Sequence, residues 1–426
     1  MSEIPSRLPI FPDSARVTGG MLTVGDIPAA ALAEDFGTPL LVLCEQTLRA
    51  RAGAYHRAAP DALVVYGVKA FPNVALLRLF ASLGLGADVS TLGELEYARR
   101  AGVPPERLVV HGNNKSDEEL RAAADAEAAF VVLDALDEVA RAASAGVRRV
   151  LIRLTPGIDA DTHHAIRTAH HGSKFGLPPE QALAAIASAR RAGLDVLGLH
   201  VHIGSQLLET GAVAMAVDWL AGFAAGTRER LDWTPDVLNL GGGLGIRYVE
   251  DEAAPTIRHF VASLLGGVER AWNLHGLPLP RIVLEPGRSL VGDAGMTLYR
   301  VGVVKSASET RTYVAIDGGM SDNPRPQLYG ARYTALLANR AQEEAAGYYT
   351  VCGKHCESGD VLIERVALPE PRRGDVLAVP ATGAYTLAMG SSYNGVNRPA
   401  VVLVAGGEAR MIRRRETLDE LLAHEV

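Results

Sequence analysis

From residue 62 onward, short β-branched runs alternate with Ala-, Glu- and Arg-rich stretches whose apolar positions recur at helical spacing. The runs lie at 62–69, 85–89, 107–111, 129–133, 150–154, 196–202, 237–240 and 281–284. The helical stretches include 73–82, 92–101, 117–126, 179–192, 212–224 and 256–271, several of them ending at glycine as helices tend to. Eight strands, each followed by a helix, predict a closed parallel (β/α)8 barrel in preference to an open doubly wound sheet. After residue 290 the rhythm changes. Strand-like runs at 299–305, 311–316, 348–351, 375–379 and 400–404 have little helix between them and predict a mainly antiparallel β domain. An early run at 39–43 precedes the eight and is assigned to that domain, which is then built from both chain ends. The expected division is a barrel over 46–290 and a β domain over 1–45 and 291–426.

Composition agrees with a two-domain globular enzyme, because 426 residues exceed what one compact core usually serves. A net charge of −7 offers no electrostatic case for nucleic acid or an anionic membrane. No secretory leader and no run of 18 apolar residues is evident, so the expected location is the cytoplasm. Three cysteines, Cys44, Cys352 and Cys356, argue against a disulfide framework. Lysine is scarce: Lys69, Lys115, Lys174, Lys305 and Lys354 are the whole set, so each merits inspection.

In barrels of this kind the chemistry lies at the carboxyl ends of the strands. Lys69 closes the first strand among small apolar neighbours, where lost hydration favours a free amine able to form a Schiff base; a lysine snorkelling to water is the bland alternative. His200 and His202 share a face at the end of the sixth strand. Such a pair can bind a catalytic metal, or one ring can stack on a flat ligand while Ser205 meets an anion. The metal reading lacks its further His and Asp ligands and has a lysine where the first strand should supply histidines. After the seventh strand, Gly241, Gly242 and Gly243 allow backbone N–H groups to approach a phosphate, whereas Ile246 breaks the dinucleotide spacing. Glu285, followed by Pro286, Gly287 and Arg288, ends the eighth strand and can hold a pyridine nitrogen protonated; an ion pair with Arg288 is the alternative. An amine, a stacking ring, a phosphate cradle and a carboxylate together point to pyridoxal phosphate.

From about residue 37 to 400 the chain also resembles the fold type III pyridoxal-phosphate decarboxylases. The motifs that carry the likeness include Tyr66-Gly67-Val68-Lys69-Ala70, Ala87-Asp88-Val89-Ser90, His202-Ile203-Gly204-Ser205, Glu285-Pro286-Gly287-Arg288, Arg325-Pro326-Gln327-Leu328-Tyr329 and Cys356-Glu357-Ser358-Gly359-Asp360. The branch it is most similar to decarboxylates meso-2,6-diaminopimelate to L-lysine. The resemblance implies that Lys69 binds the cofactor, His202 stacks on its ring, and Glu285 meets the pyridine nitrogen. It implies that Ser205, Gly241 to Gly243, the Glu285 to Arg288 run and Tyr385 contact the cofactor. It gives Cys356 the role of proton donor and puts Glu357 near the substrate's far ammonium. Arg288, Arg325 and Tyr329, with Tyr385 nearby, would hold the substrate. It also implies a homodimer with shared active sites. Phe71-Pro72-Asn73 and Thr168-Ala169 depart from the family pattern without touching a catalytic role.

Other residues have plainer readings. His163, His164, His170 and His171 read as a solvated loop, Cys352 as a buried strand residue, and Lys115 as a solvated residue at a helix start. The rivals are a sibling decarboxylase acting on ornithine, arginine or carboxynorspermidine and, more remotely, a non-catalytic cofactor-binding homologue. The second would be expected to have lost Lys69, Cys356 or Asp360, and all three are present.

Overall fold

The structure, a computed structural model, describes residues 8–156 and 173–426; the four loop histidines and Thr168-Ala169 lie outside them. Eight parallel strands close a barrel: β1 (Leu63–Gly67), β2 (Gly86–Val89), β3 (Leu108–Val110), β4 (Phe130–Leu133), β5 (Arg149–Arg153), β6 (Asp195–His200), β7 (Val237–Asn239) and β8 (Arg281–Leu284). They pair in order around the ring, with β8 on β1 and β5 on β6. Val65, Val109, Phe130, Val132, Leu151, Val237 and Val283 fill the interior, as bulky apolar side chains do in such barrels. The predicted strands ran past the real ends at β1 and β6. The chain turns out of the sheet after Gly67 and after His200, so Lys69 and His202 sit just beyond pairing.

The intervening helices start where side chains cap them. The Asn73 side chain accepts the Leu76 N–H at 3.0 Å ahead of helix Val74–Ser82, and Ser116 with Glu119 forms a capping box ahead of Asp117–Asp125. In β6 a bulge falls between Val196 and Gly198, and a Cβ at Gly198 would lie 1.9 Å from the Val237 carbonyl oxygen. Only glycine permits that approach of β6 to β7, and it sets the course of the strand that delivers His200.

The chain divides into two compact units, the barrel unit of Arg51–Ile246 with Ala254–Ser289, and a unit of Met1–Ala50, Arg247–Ala253 and Leu290–Val426. The short excursion Arg247–Ala253, expected within the barrel, falls in the second unit. That unit holds a nine-stranded sheet in which Leu40–Cys44 lies between Gly295–Ser308 and Ala400–Ala405, so the N-terminal strand is interior to a mostly C-terminal sheet. Most pairs are antiparallel, but Leu40–Cys44 runs parallel to Ala400–Ala405 and Arg311–Ile316 parallel to Gly347–Cys352. Strands Val361–Leu368 and Glu408–Arg413, and the three-stranded sheet starting at Arg16, were not anticipated. Cys352 ends a strand as expected but is only half-buried.

Lys115 is buried, contrary to the expectation from its polar neighbours. It is not solvated: its side chain is 1% exposed, Nζ donates to the carbonyls of Gly112 and Val132 at 2.7 Å each, and Glu138 Oε1 lies 3.0 Å away. The other Glu138 oxygen accepts the N–H groups of Asp134 and Ala135. The polar neighbours Gly112-Asn113-Asn114 suggested water, but the end of β4 and the next helix cover the ammonium. Lys115→Met leaves the Glu138 carboxylate buried without its cation, so denaturant unfolding should register a loss of about 3–5 kcal/mol.

Candidate active site

The barrel mouth collects the polar residues that lie at or just beyond the strand ends. Lys69 lies in the single 3-10 turn Val68–Ala70 after β1, with Nζ 3.6 Å from the buried Asp88 carboxylate of β2. Its side chain is 51% exposed, so the loss of hydration invoked from its apolar neighbours is not what makes this amine available. The turn lifts it off the strand and into the opening.

Glu285 is the centre of the buried polar cluster. His111, directly after β3, places Nε2 2.7 Å from Glu285 Oε1, and the Asn239 amide donates to the same oxygen at 2.6 Å. His200 Nε2 is 3.4 Å from the other oxygen, and the His111 and His200 rings meet edge to face at 4.7 Å. Burial works against ionisation of Glu285, but His111 and then His200 more than reverse it and hold the carboxyl well below the usual range. His200 itself is driven down to about 3 by burial, which Glu285 only partly offsets, so its ring is neutral at pH 7. The alternative of a Glu285–Arg288 ion pair is not what forms: Glu285 is taken by His111 and Asn239.

His202 is also neutral, because burial first, and then the charges of Lys69 and Arg153, push its pKa well below the ordinary value. The ring lies against the glycine turn, accepting the Gly242 N–H at Nδ1 (3.4 Å), and a Cβ at Gly241 would come within 2.8 Å of that nitrogen. A Cβ at Gly242 would sit 2.3 Å from the Glu285 carbonyl oxygen, and one at Gly243 2.5 Å from the Gly204 carbonyl oxygen. Gly241 and Gly243 have φ of 63° and 113°, so this turn admits only glycine on both counts. The Gln206 side chain brackets the turn from outside, donating to the Ile246 carbonyl and accepting its N–H. Beside it, Arg288 Nη2 donates to Ser205 Oγ at 3.1 Å, which brings a cation and a hydroxyl to one point. The Pro286 carbonyl accepts the Gly67 N–H at 3.0 Å, tying the Glu285 to Arg288 segment to the end of β1.

These residues fit pyridoxal phosphate. They supply an accessible amine, a neutral ring, a carboxylate held anionic and, beside a glycine turn whose Gly241 and Gly242 N–H groups donate to Asn239 and His202, the Ser205 hydroxyl and the Arg288 cation for the phosphate. Among the described residues His111, His200 and Glu285 are also close enough to share a metal ion, with ligand atoms within 4.8 Å of one another. Yet His111 and Glu285 are in direct hydrogen bond at 2.7 Å, so each already has the other as its polar partner. Asp88, His111 and Asn239 were missed as site residues. The signal was available, since each is a polar residue at or just past a strand end, but it is visible only once strand boundaries are known.

The remaining expected residues belong to the second unit. Arg325 opens the short helix Arg325–Tyr329 and is buried, while Tyr329 at its other end is 65% exposed. Cys356 and Glu357 are exposed on a loop whose frame is Asp360, which accepts the Met320 N–H, the His355 N–H and His355 Nδ1. The Cys356 N–H donates to the Asn394 side chain at 2.9 Å. Tyr385 is partly buried in a left-handed backbone conformation, φ 57°.

Comparison with known proteins agrees with this geometry. The family described as "Pyridoxal-dependent decarboxylase, pyridoxal binding domain" matches residues 45–292. The chain is 44% identical to a diaminopimelate decarboxylase of Actinosynnema pretiosum subsp. auranticum, over 98% of this chain and 95% of that one. It is 42% identical to one of Bacillus subtilis, over 95% and 94%. Among solved structures it superimposes on a diaminopimelate decarboxylase from M. jannaschii with a TM-score of 0.91 at 32% identity, covering 97% of this chain and 98% of that one. A lysine/ornithine decarboxylase from Vibrio vulnificus matches at a TM-score of 0.76 and 25% identity, covering 88% and 96%.

Proposed function

Because the chain belongs to the pyridoxal-dependent decarboxylases, in their diaminopimelate branch, we propose that it converts meso-2,6-diaminopimelate to L-lysine and CO2, the last step of lysine biosynthesis. The observation that carries the substrate is Arg325. It is 5% exposed, and among the described residues no carboxylate lies within ion-pair distance of it. A buried guanidinium without a counter-ion is costly, and a second substrate carboxylate supplies what is missing. Diaminopimelate has that group and ornithine lacks it.

When bound, pyridoxal phosphate supplies an electron-accepting ring that takes up the electron pair left as CO2 departs. Lys69 is the residue that would hold it covalently, and Ser205, Gly241 to Gly243 and Arg288 would hold its phosphate, with Tyr385 as a further contact. Glu285, kept anionic chiefly by His111, would retain the proton on the ring nitrogen. His202 presents an uncharged flat ring suited to covering one face and excluding water. Cys356 returns a proton to the α-carbon, Glu357 faces the substrate's far ammonium, and Arg325 with Tyr329 and Arg288 orients the carboxylate that stays. The test is turnover of meso-diaminopimelate by the cofactor-loaded enzyme, followed as L-lysine and CO2. Comparable kcat/KM for ornithine would refute the assignment and favour the sibling decarboxylases.

The working form is a homodimer with shared active sites. Leu328, Tyr329 and Tyr348 are 59%, 65% and 60% exposed, large side chains left uncovered on the unit that carries Cys356. Mixing inactive Lys69→Ala and Cys356→Ala chains should recover part of the activity, since each mixed dimer would contain one complete site. Mixed dimers verified by mass that stayed inactive would count against sharing. The location is cytoplasmic, in keeping with three free cysteines; no helix among the described residues is long and apolar enough to cross a membrane.

A further inference from the structure

Arg325 is held by tyrosines. Its Nη1 donates to the Tyr333 hydroxyl at 2.8 Å, and its guanidinium lies over the Tyr248 ring, 4.3 Å from the centroid. The two rings meet edge to face at 5.4 Å, and each tyrosine is only 4% exposed. Tyr248 is fixed in turn. Its segment is fastened to the Arg325–Tyr333 stretch by Arg332, which donates to Asp251 at 2.7 Å, and the Tyr248 N–H donates to Glu252 at 2.8 Å. Asn323 meanwhile accepts the Arg325 backbone N–H at 3.4 Å.

A free arginine side chain samples many rotamers, and a carboxylate partner would fix it only by cancelling its charge. A hydroxyl and a ring face do something different. They compensate a buried guanidinium through hydrogen bonding and through the ring quadrupole, yet leave the full positive charge in place. We propose that Tyr333 and Tyr248 are positioning residues that set specificity for the substrate's non-reacting carboxylate, by holding Arg325 in one orientation without neutralising it. The proposal rests on the reading of Arg325 as the carboxylate anchor. It adds that specificity depends on two residues that need not touch the substrate.

The test uses cofactor-loaded enzyme and two ligands that differ in one group: L-lysine, which keeps the carboxylate, and cadaverine, which lacks it. Tyr333→Phe removes a single oxygen and should raise the KM for diaminopimelate and the Ki for lysine about tenfold, the scale of one hydrogen bond to a charged group. Its Ki for cadaverine, its kcat and the cofactor's visible absorbance should stay as they were. Tyr248→Leu should show the same split, and Tyr333→Phe should add nothing once Arg325→Ala is present. Equal weakening of lysine and cadaverine would reveal general loosening and overturn the proposal. Unchanged lysine binding in Tyr333→Phe and Tyr248→Leu, with weakened binding in Arg325→Ala, would overturn it while leaving the anchor intact. If Arg325→Ala itself left lysine binding unchanged, the anchor reading would fall and the proposal with it.

Discussion

Lys69→Ala is expected to lose turnover by roughly four to six orders of magnitude, the scale seen when a covalent nucleophile is removed from an enzyme. The amine stands at the barrel mouth beside Asp88, half-exposed and reachable by an aldehyde. Lys115 has no such access, being 1% exposed and bound to two carbonyls and Glu138. Lys174 lies over the Phe175 ring, and Lys305 is on an exposed stretch of Gly295–Ser308. Borohydride treatment of the cofactor-loaded protein followed by peptide mapping should therefore mark Lys69, and Lys69→Ala should lose both the mark and the visible absorbance that borohydride bleaches. A mark on any of the other four lysines would end the assignment.

The second large effect concerns selectivity. Ornithine should be turned over about four to five orders of magnitude less efficiently than diaminopimelate, because a site built to bind a polar group rejects analogues lacking it far more strongly than it senses a missing methylene. For ornithine the buried Arg325 cation stays without an anion. Arg325→Ala should then lower kcat/KM for diaminopimelate by about 10²–10⁴-fold, as two charge-assisted bonds of about 1.5–3 kcal/mol each imply. The cofactor's absorbance should be retained, since the groups expected to hold the cofactor lie chiefly in the barrel unit and none of them is altered. Loss of absorbance in Arg325→Ala would assign the residue to cofactor binding instead.

Much of this was legible in the chain. The βα rhythm over residues 62–284 encodes a barrel because periodicity is local, a matter of which neighbours within a few residues are apolar. Lys69, His202, the glycine triplet and Glu285 could be picked out because each lies at or just past a strand end, and in a parallel barrel those ends converge. Strand ends themselves are not local in this sense. Lys69 and His202 fall outside regular pairing, since the break that frees them depends on where the next strand stops offering partners.

What the sequence determined alone was therefore the order of elements, the type of chemistry and the identity of its main groups. Charge state, burial and partnership depended on the folded chain. His111 and Glu285 are 174 residues apart, and no local pattern links them; only ring closure brings β3 and β8 to one cluster where a histidine can hold a carboxylate anionic. Lys115 carries every local mark of a solvated residue and is buried, because its cover comes from β4 and from Glu138. Arg325 stands in a recognisable motif, but the environment that keeps it charged comes from Tyr333 and from Tyr248 in a segment 77 residues earlier, on the short excursion Arg247–Ala253. Electrostatics in proteins is set by distance and desolvation in three dimensions, and the linear order of residues records neither.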